Sequence, residues 1–276
     1  MYFAKFYVFF ILILDFISLK VYFNLRDVIS MKILSIGNSF SQDAQKWLHG
    51  ICKTAGHDVT CINLYIGGCS LEHHWERYLD DEPEYRYELN GVDKKAITLK
   101  EALSADKYDI ITLQQVSHLS AKKETYVPFL EDLYKEVKKF QPDAVIYIHH
   151  IWAYQDVHES DFDGSSERMY EGVNEGYKFA GELVNCSLIM VGPFIQYLRR
   201  NVPEFNSETG INITRDGAHL SYTYGRFAAG LIWFATLVGG DIDKVDLIPL
   251  EIDGVPADKQ IIEKIKSAAK EFLKTV

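Results

Sequence analysis

The chain has 276 residues, 47% of them hydrophobic and 25% charged, with a formal net charge of −10. That length carries one α/β domain of ordinary size or two small ones, and the composition allows a full core. The acidic balance, without any basic cluster interleaved with aromatics, argues against a nucleic-acid surface and against binding to anionic membranes.

Met1 to Ser30 stand apart from the rest. Phe6 to Leu14 is apolar and follows Lys5, Asp15 interrupts the run, and Phe16 to Leu19 continues it before Lys20. A secretory signal has this order of charge and apolar run, yet no small-x-small cleavage site follows. As a membrane span the run is too short and carries a carboxylate, so no stable span is expected. Two readings stay open. Translation starting at Met31 would leave the protein cytoplasmic; a signal or anchor would make it secreted or membrane-anchored. Met31 to Val276 reads as one domain.

Met31 to Ile36 has the length and bounds of a buried strand, with strand one over Lys32 to Ile36. Gly37 and Asn38 break it, and both tolerate positive φ. A helical pattern runs from Asp43 to Ala55 and ends at Gly56. Ser39 therefore falls on a turn between a strand's carboxyl end and a helix N-terminus. A serine can act as nucleophile there, and open α/β sheets bind ligands there. Taken alone, Ser39 or Ser41 serves equally well as a helix cap.

Strand two, Asp58 to Tyr65, runs into Gly67-Gly68. Ser70 to Ala96 reads as a long irregular stretch, a lid or a substrate wall. A short helix over Ile97 to Ser104 leads to strand three, Tyr108 to Leu113, which ends at Gln114-Gln115. A helix over Glu124 to Phe140 precedes strand four, Ala144 to His149. A loop, Ala153 to Ser165, leads to a helix over Glu167 to Val184 and to strand five, Ser187 to Val191. Gly192-Pro193 opens a short helix to Arg200. Tyr222 to Leu237 and Asp258 to Val276 are the last helices. Strands alternating with helices predict an α/β fold, a parallel sheet with helices on both faces.

The stretch before the helix at Tyr222 reads Thr214-Arg215-Asp216-Gly217-Ala218-His219-Leu220-Ser221. Asp and His three apart in one loop can lie side by side, the carboxylate orienting the ring. With Ser39 they complete a Ser-Asp-His set, each member at a loop–helix junction. Arg226 is expected to anchor this loop rather than touch substrate.

These blocks resemble the SGNH (GDSL-like) hydrolases. Gly37-Asn38-Ser39-Phe40-Ser41 is similar to the superfamily's first block, usually written G-D-S. Gly67-Gly68 resembles the glycine block, and Asp216-Gly217-Ala218-His219 matches the closing D-x-x-H. The chain is most similar to a bacterial branch that carries GNSFS, IGGCSLEHHW, LQQ-x-S, WAY and RDGAHLS. Here these are Gly37–Ser41, Ile66–Trp75, Leu113–Ser117, Trp152–Tyr154 and Arg215–Ser221. The resemblance covers about Met31 to Gly240. It implies a three-layer α/β/α sandwich with the flavodoxin-like strand order 2-1-3-4-5.

The resemblance also implies a serine ester hydrolase, with Ser39 as nucleophile, His219 as base and Asp216 orienting the ring. The amides of Ser39 and Gly68 would form the oxyanion hole. The superfamily's third donor is an Asn; here Gln114-Gln115 stands in its place. Strand geometry points the two glutamines to opposite faces, so only one can reach, and which one is open. Asn38, His74, Trp75, His150, Trp152 and Tyr154 are candidate substrate contacts, with packing of each as the alternative.

No cofactor is expected. His149 and His150 would point to opposite faces, and Glu72-His73-His74 lacks the spacing of a helical zinc site, so no metal is expected either. Cys52, Cys61, Cys69 and Cys186 form no C-x-x-C pair. Abundant Tyr and Trp, and the want of a long apolar lid, favour an acetylated carbohydrate as substrate. A lipolytic esterase or thioesterase, a catalytically silent glycan-binding fold, and a flavodoxin-like nucleotide binder are the alternatives.

Overall fold

The computed structural model of the protein describes residues 30–276. The expectations placed on the N-terminal apolar stretch lie outside the described residues.

In chain order the elements are β1 (Met31–Gly37), α1 (Ser39–Gln45), α2 (Leu48–Thr54), β2 (Val59–Tyr65), α3 (Leu71–Asp80), β3 (Tyr85–Leu89), β4 (Val92–Ile97), α4 (Leu99–Ala105) and β5 (Ile110–Leu113). There follow α5 (Phe129–Phe140), β6 (Val145–His149), α6 (Ser166–Val184), β7 (Ser187–Ile189), α7 (Val191–Asn201), α8 (Tyr224–Trp233) and α9 (Lys259–Phe272). They form a seven-stranded sheet in the order β4-β3-β2-β1-β5-β6-β7. The five strands read from the sequence are parallel and take the expected order, β2-β1-β5-β6-β7. β1 is central and covered on both faces, which is why Ile33, Leu34 and Ile36 are all buried.

The helices gather in two groups. α1, α2, α7 and α9 pack around α8, and α3 to α6 pack against one another. α8 is buried on every side from Gly225 to Trp233, as its nearly unbroken apolar sequence requires. Among the described residues no helix is long and apolar enough to cross a membrane.

The stretch expected to be irregular, Ser70 to Ala96, is a helix and a hairpin. Ser70 caps α3 by accepting a bond from His73 N at 3.1 Å. Leu71, His74, Trp75 and Tyr78 then recur at helical spacing. β3 and β4 are joined by Asn90-Gly91, both at positive φ (50° and 76°), the two-residue turn that suits the twist of a hairpin. The hairpin extends the sheet antiparallel beyond β2. The edge strand β4 is exposed and carries Asp93, Lys94 and Lys95, charges that discourage pairing with another chain.

Other boundaries differ as well, three of them for a visible local reason. The helix expected over Asp43 to Ala55 is broken: Trp47 leaves the helical run at φ −103°, ψ −6°, and its indole N–H donates to Tyr222 O at 3.0 Å. α5 begins only at Phe129, because Pro128 cannot continue a helix entered from Glu124. β7 ends at Ile189, two residues early, where α7 takes over.

Candidate active site

The site is built at the carboxyl end of β1. Asn38 is extended (φ −140°) and buried, and its side-chain oxygen caps α1 by accepting from Phe40 N at 3.0 Å. The left-handed backbone that Gly37-Asn38 would tolerate is therefore not used. Gly37 is needed for closeness instead: a Cβ there would lie 2.3 Å from Ser41 Oγ. Ser39 is the first residue of α1, so its amide has no partner within the helix.

Ser39 Oγ lies 2.9 Å from His219 Nε2, and His219 Nδ1 lies 2.8 Å from Asp216 Oδ2. The carboxylate can only accept, so Nδ1 carries the proton, Nε2 is the basic nitrogen, and the serine hydroxyl donates to it. Asp216 Oδ1 also accepts from the amides of Ala218 (3.1 Å) and His219 (2.7 Å). Burial pushes the Asp216 carboxyl up, but the bonds from the His219 amide, its ring and the Ala218 amide outweigh it, so the pKa lies below the ordinary carboxylate value. The ring and carboxylate are open to solvent, with side-chain exposures of 30% and 49%.

The loop carrying His219 is fastened to α1 by Asp43, one helical turn after Ser39. Asp43 is fully buried and accepts from Leu220 N (2.9 Å), Arg226 Nε (2.7 Å) and Arg215 Nη1 (3.0 Å). Arg226 thus anchors the loop, as expected. The Gly67-Gly68 turn is drawn beside Asn38, whose Nδ2 donates to Cys69 O at 3.0 Å. Gly68 has φ +63°, is exposed, and its amide has no partner among the described residues.

The sequence from residue 32 to 265 matches the model of a family described as Domain of unknown function (DUF4886). The chain belongs to this family. The crystal structure of a DUF4886 family protein from Bacteroides uniformis is 30% identical, covers 88% of this chain and 94% of its own, and superposes with a TM-score of 0.79. A protein assigned as an SGNH hydrolase, from Slackia heliotrinireducens, matches at 21% identity over 75% of this chain and 99% of its own, TM-score 0.54. A protein assigned as a GDSL-like lipase, from Parabacteroides merdae, matches at 15% over 74% and 94%, TM-score 0.50. No curated protein matches. This DUF4886 chain therefore has the SGNH-hydrolase fold.

Of the glutamines, Gln114 faces the turn that carries Ser39 and Gln115 faces away from it. Gln114 Nε2 donates to Asn38 Oδ1 at 2.6 Å, and its Oε1 accepts from His149 Nδ1 at 2.7 Å. Gln115 accepts from Leu71 N and Val116 N and donates to Thr125 O (3.0, 2.8 and 2.9 Å). Its amide ties β5 to α3 and has no group left for an oxyanion.

Several residues read as substrate contacts are packed inside the DUF4886 fold. Asn38 has both side-chain atoms engaged as described. His74 is buried, with Nδ1 2.8 Å from Tyr85 Oη. Trp75 stacks on Tyr78, centroids 5.3 Å apart. His150 is buried between Asn174 Oδ1 (2.8 Å) and the ring of Tyr177 (4.7 Å). Trp152 is buried against Phe40. Their apolar or aromatic character reflects the core, because helix α3 and the end of β6 turn them inward. Trp75 and Tyr154 are only partly buried; Tyr154 lies 6.4 Å from Phe40, with its hydroxyl 2.5 Å from Ser117 Oγ. His149 and His150 take opposite faces, and among the described residues no set of three His, Cys, Asp or Glu is gathered for a metal. Burial lowers His74 and His149 to about 3 and His150 to about 4, so all three are neutral.

Sequence reasoning missed Asp43. The signal was there, a carboxylate one helical turn after the serine on an otherwise buried helix face, with Arg215 just before the D-x-x-H segment and Arg226 on the helix after it as its cations.

Proposed function

We propose that the protein is a serine ester hydrolase that removes short acyl groups, acetyl foremost, from a carbohydrate. The observation that carries the reading is the unbroken chain Ser39 Oγ, His219 Nε2, Asp216 Oδ2, beside the unpartnered amides of Ser39 and Gly68. Ser39 attacks the acyl carbonyl as His219 takes its proton. Asp216 holds the ring in the tautomer that leaves Nε2 basic and stabilises the imidazolium that forms. The Ser39 and Gly68 amides receive the oxyanion, with the second Nε2 hydrogen of Gln114 as third donor. His219 returns the proton to the leaving alcohol, then activates water to release the acyl group from Ser39.

Two features support a carbohydrate. The triad is open at the sheet rim, so the alcohol part of the substrate can be large. A cleft of about 380 Å³ is lined by Trp47 and Tyr222 together with Lys46 and Glu251, aromatic and polar side chains in a mixture suited to a sugar. A lipolytic esterase is the second reading, favoured by the apolar side chains at the same cleft: Leu250 and Ile252 are 49% and 81% exposed. Turnover of acetyl and octanoyl esters of one chromogenic alcohol, followed by acetate release from acetylated oligosaccharides, separates the two. Faster octanoyl hydrolysis would replace the carbohydrate reading with the lipolytic one.

A further inference from the structure

Trp152 is fully buried, yet it touches both halves of the candidate triad. Its ring lies flat on Phe40, the neighbour of Ser39, with centroids 4.4 Å apart and planes 20° from parallel. Its indole N–H donates to Ala218 O, between Asp216 and His219, at 2.7 Å. Phe40 in turn packs 5.6 Å from the His219 ring. His219 is thus held from both sides in the chain, Ala218 by Trp152 and Leu220 by Asp43. The segment after Trp152 grips the same loop. Gln155 N donates to Gly217 O at 2.6 Å, and a Cβ on Gly217 would strike Asp156 Oδ2 at 2.5 Å. On the far side Arg199 Nη1 donates to Ala153 O at 3.1 Å.

We propose that Trp152 is a positioning residue: by stacking on the nucleophile's turn and bonding the acid–base loop, it sets the distance between Ser39 and His219. The proposal rests on the ester-hydrolase reading. Ser39 and His219 stand 180 positions apart in sequence, and their bond closes only if β1 and the Asp216–His219 loop are held in register. Trp152 joins them through one rigid ring. Misplacement by about 1 Å in such a pair lowers turnover on the order of 10²-fold.

Two variants of the full chain divide the ring's two contacts. Trp152→Phe keeps a ring on Phe40 and removes the donor; Trp152→Leu removes both. The readouts are kcat and KM on two acetyl esters with a small and a large alcohol, and the NMR resonance of the His219 Nδ1 proton shared with Asp216. Trp152→Leu is expected to lower kcat about 10²-fold on both esters with KM within about twofold, and Trp152→Phe to fall between it and the parent. The Nδ1 resonance broadens or vanishes in both, while unfolding stays cooperative. A rise in KM confined to the larger ester would make Trp152 a substrate contact and overturn the proposal. So would lower stability with kcat and the Nδ1 resonance unchanged, which is the behaviour of an ordinary core residue. If the parent cleaves no ester, the hydrolase reading fails, and the Nδ1 resonance still decides the positioning role: persistence in Trp152→Phe and Trp152→Leu refutes it.

Discussion

Replacing Asp43 by Asn tests how the two ends of the chain are fastened together. The Asp43 carboxylate is fully buried and accepts from Arg215, Arg226 and the amide of Leu220, residues that flank Asp216 and His219 in the chain. Asn keeps one acceptor oxygen and turns an N–H₂ toward a guanidinium that also only donates. The substitution leaves Arg226, whose side chain is 10% exposed, without its buried counter-charge. Breaking a buried pair from one side costs about 3–5 kcal/mol, against a total stability of about 5–15 kcal/mol for a typical domain. Urea unfolding should show the midpoint falling accordingly at unchanged slope. Because Leu220 N loses its acceptor, the His219 loop should loosen, and ester turnover per folded molecule should fall on the order of 10²-fold. Arg215→Ala should cost less, because Arg226 and Leu220 N still serve the carboxylate. A stability loss under about 1 kcal/mol with turnover within about twofold would refute the reasoning, since exposed pairs behave that way.

Gln114→Ala should lower turnover about 10²-fold by removing the proposed oxyanion donor and the brace on Asn38, whereas Gln115→Ala should reduce stability and leave turnover nearly intact; equal effects on turnover would contradict the division of roles. Acid should destabilise the fold. His74, His149 and His150 have folded values of about 3, 3 and 4, below the unfolded value of about 6.5, so the unfolded chain binds more protons in that window. Their stability contribution is full above pH 6.5 and is lost as pH falls, about 2 kcal/mol per histidine by pH 5. A urea midpoint that stays level from pH 7.5 to pH 5 would contradict their burial as neutral rings.

Much of this was legible in the sequence, for local reasons. The strand–turn–helix at Ser39, the parallel sheet and the juxtaposition of Asp216 with His219 all follow from short patterns, while the strand order came from the family resemblance. The hairpin was equally local: Asn90-Gly91 between Tyr85–Leu89 and Val92–Ile97 is a strong turn signal, hidden by the many charges of the edge strand. The helical spacing of Leu71, His74, Trp75 and Tyr78 was hidden in the same way. Asn38, Asp43 and Trp152 could not be assigned from neighbours in sequence. Their partners, Cys69 and Gln114, Arg226 and Leu220, and Ala218, lie 31 to 183 positions away, and only the fold brings them together.

The central claim is that Ser39 is a nucleophile activated by His219, and a serine-directed fluorophosphonate tests it most directly. The parent chain, Ser39→Ala and His219→Ala are incubated with the reagent, the adduct is located by peptide mass, and hydrolysis of the preferred ester is followed alongside. The expected result is one adduct, on Ser39, absent from Ser39→Ala, with both variants losing turnover by about 10⁴-fold or more and the double variant no worse than either. An adduct on another residue, or near-parental hydrolysis by Ser39→Ala, would contradict the assignment.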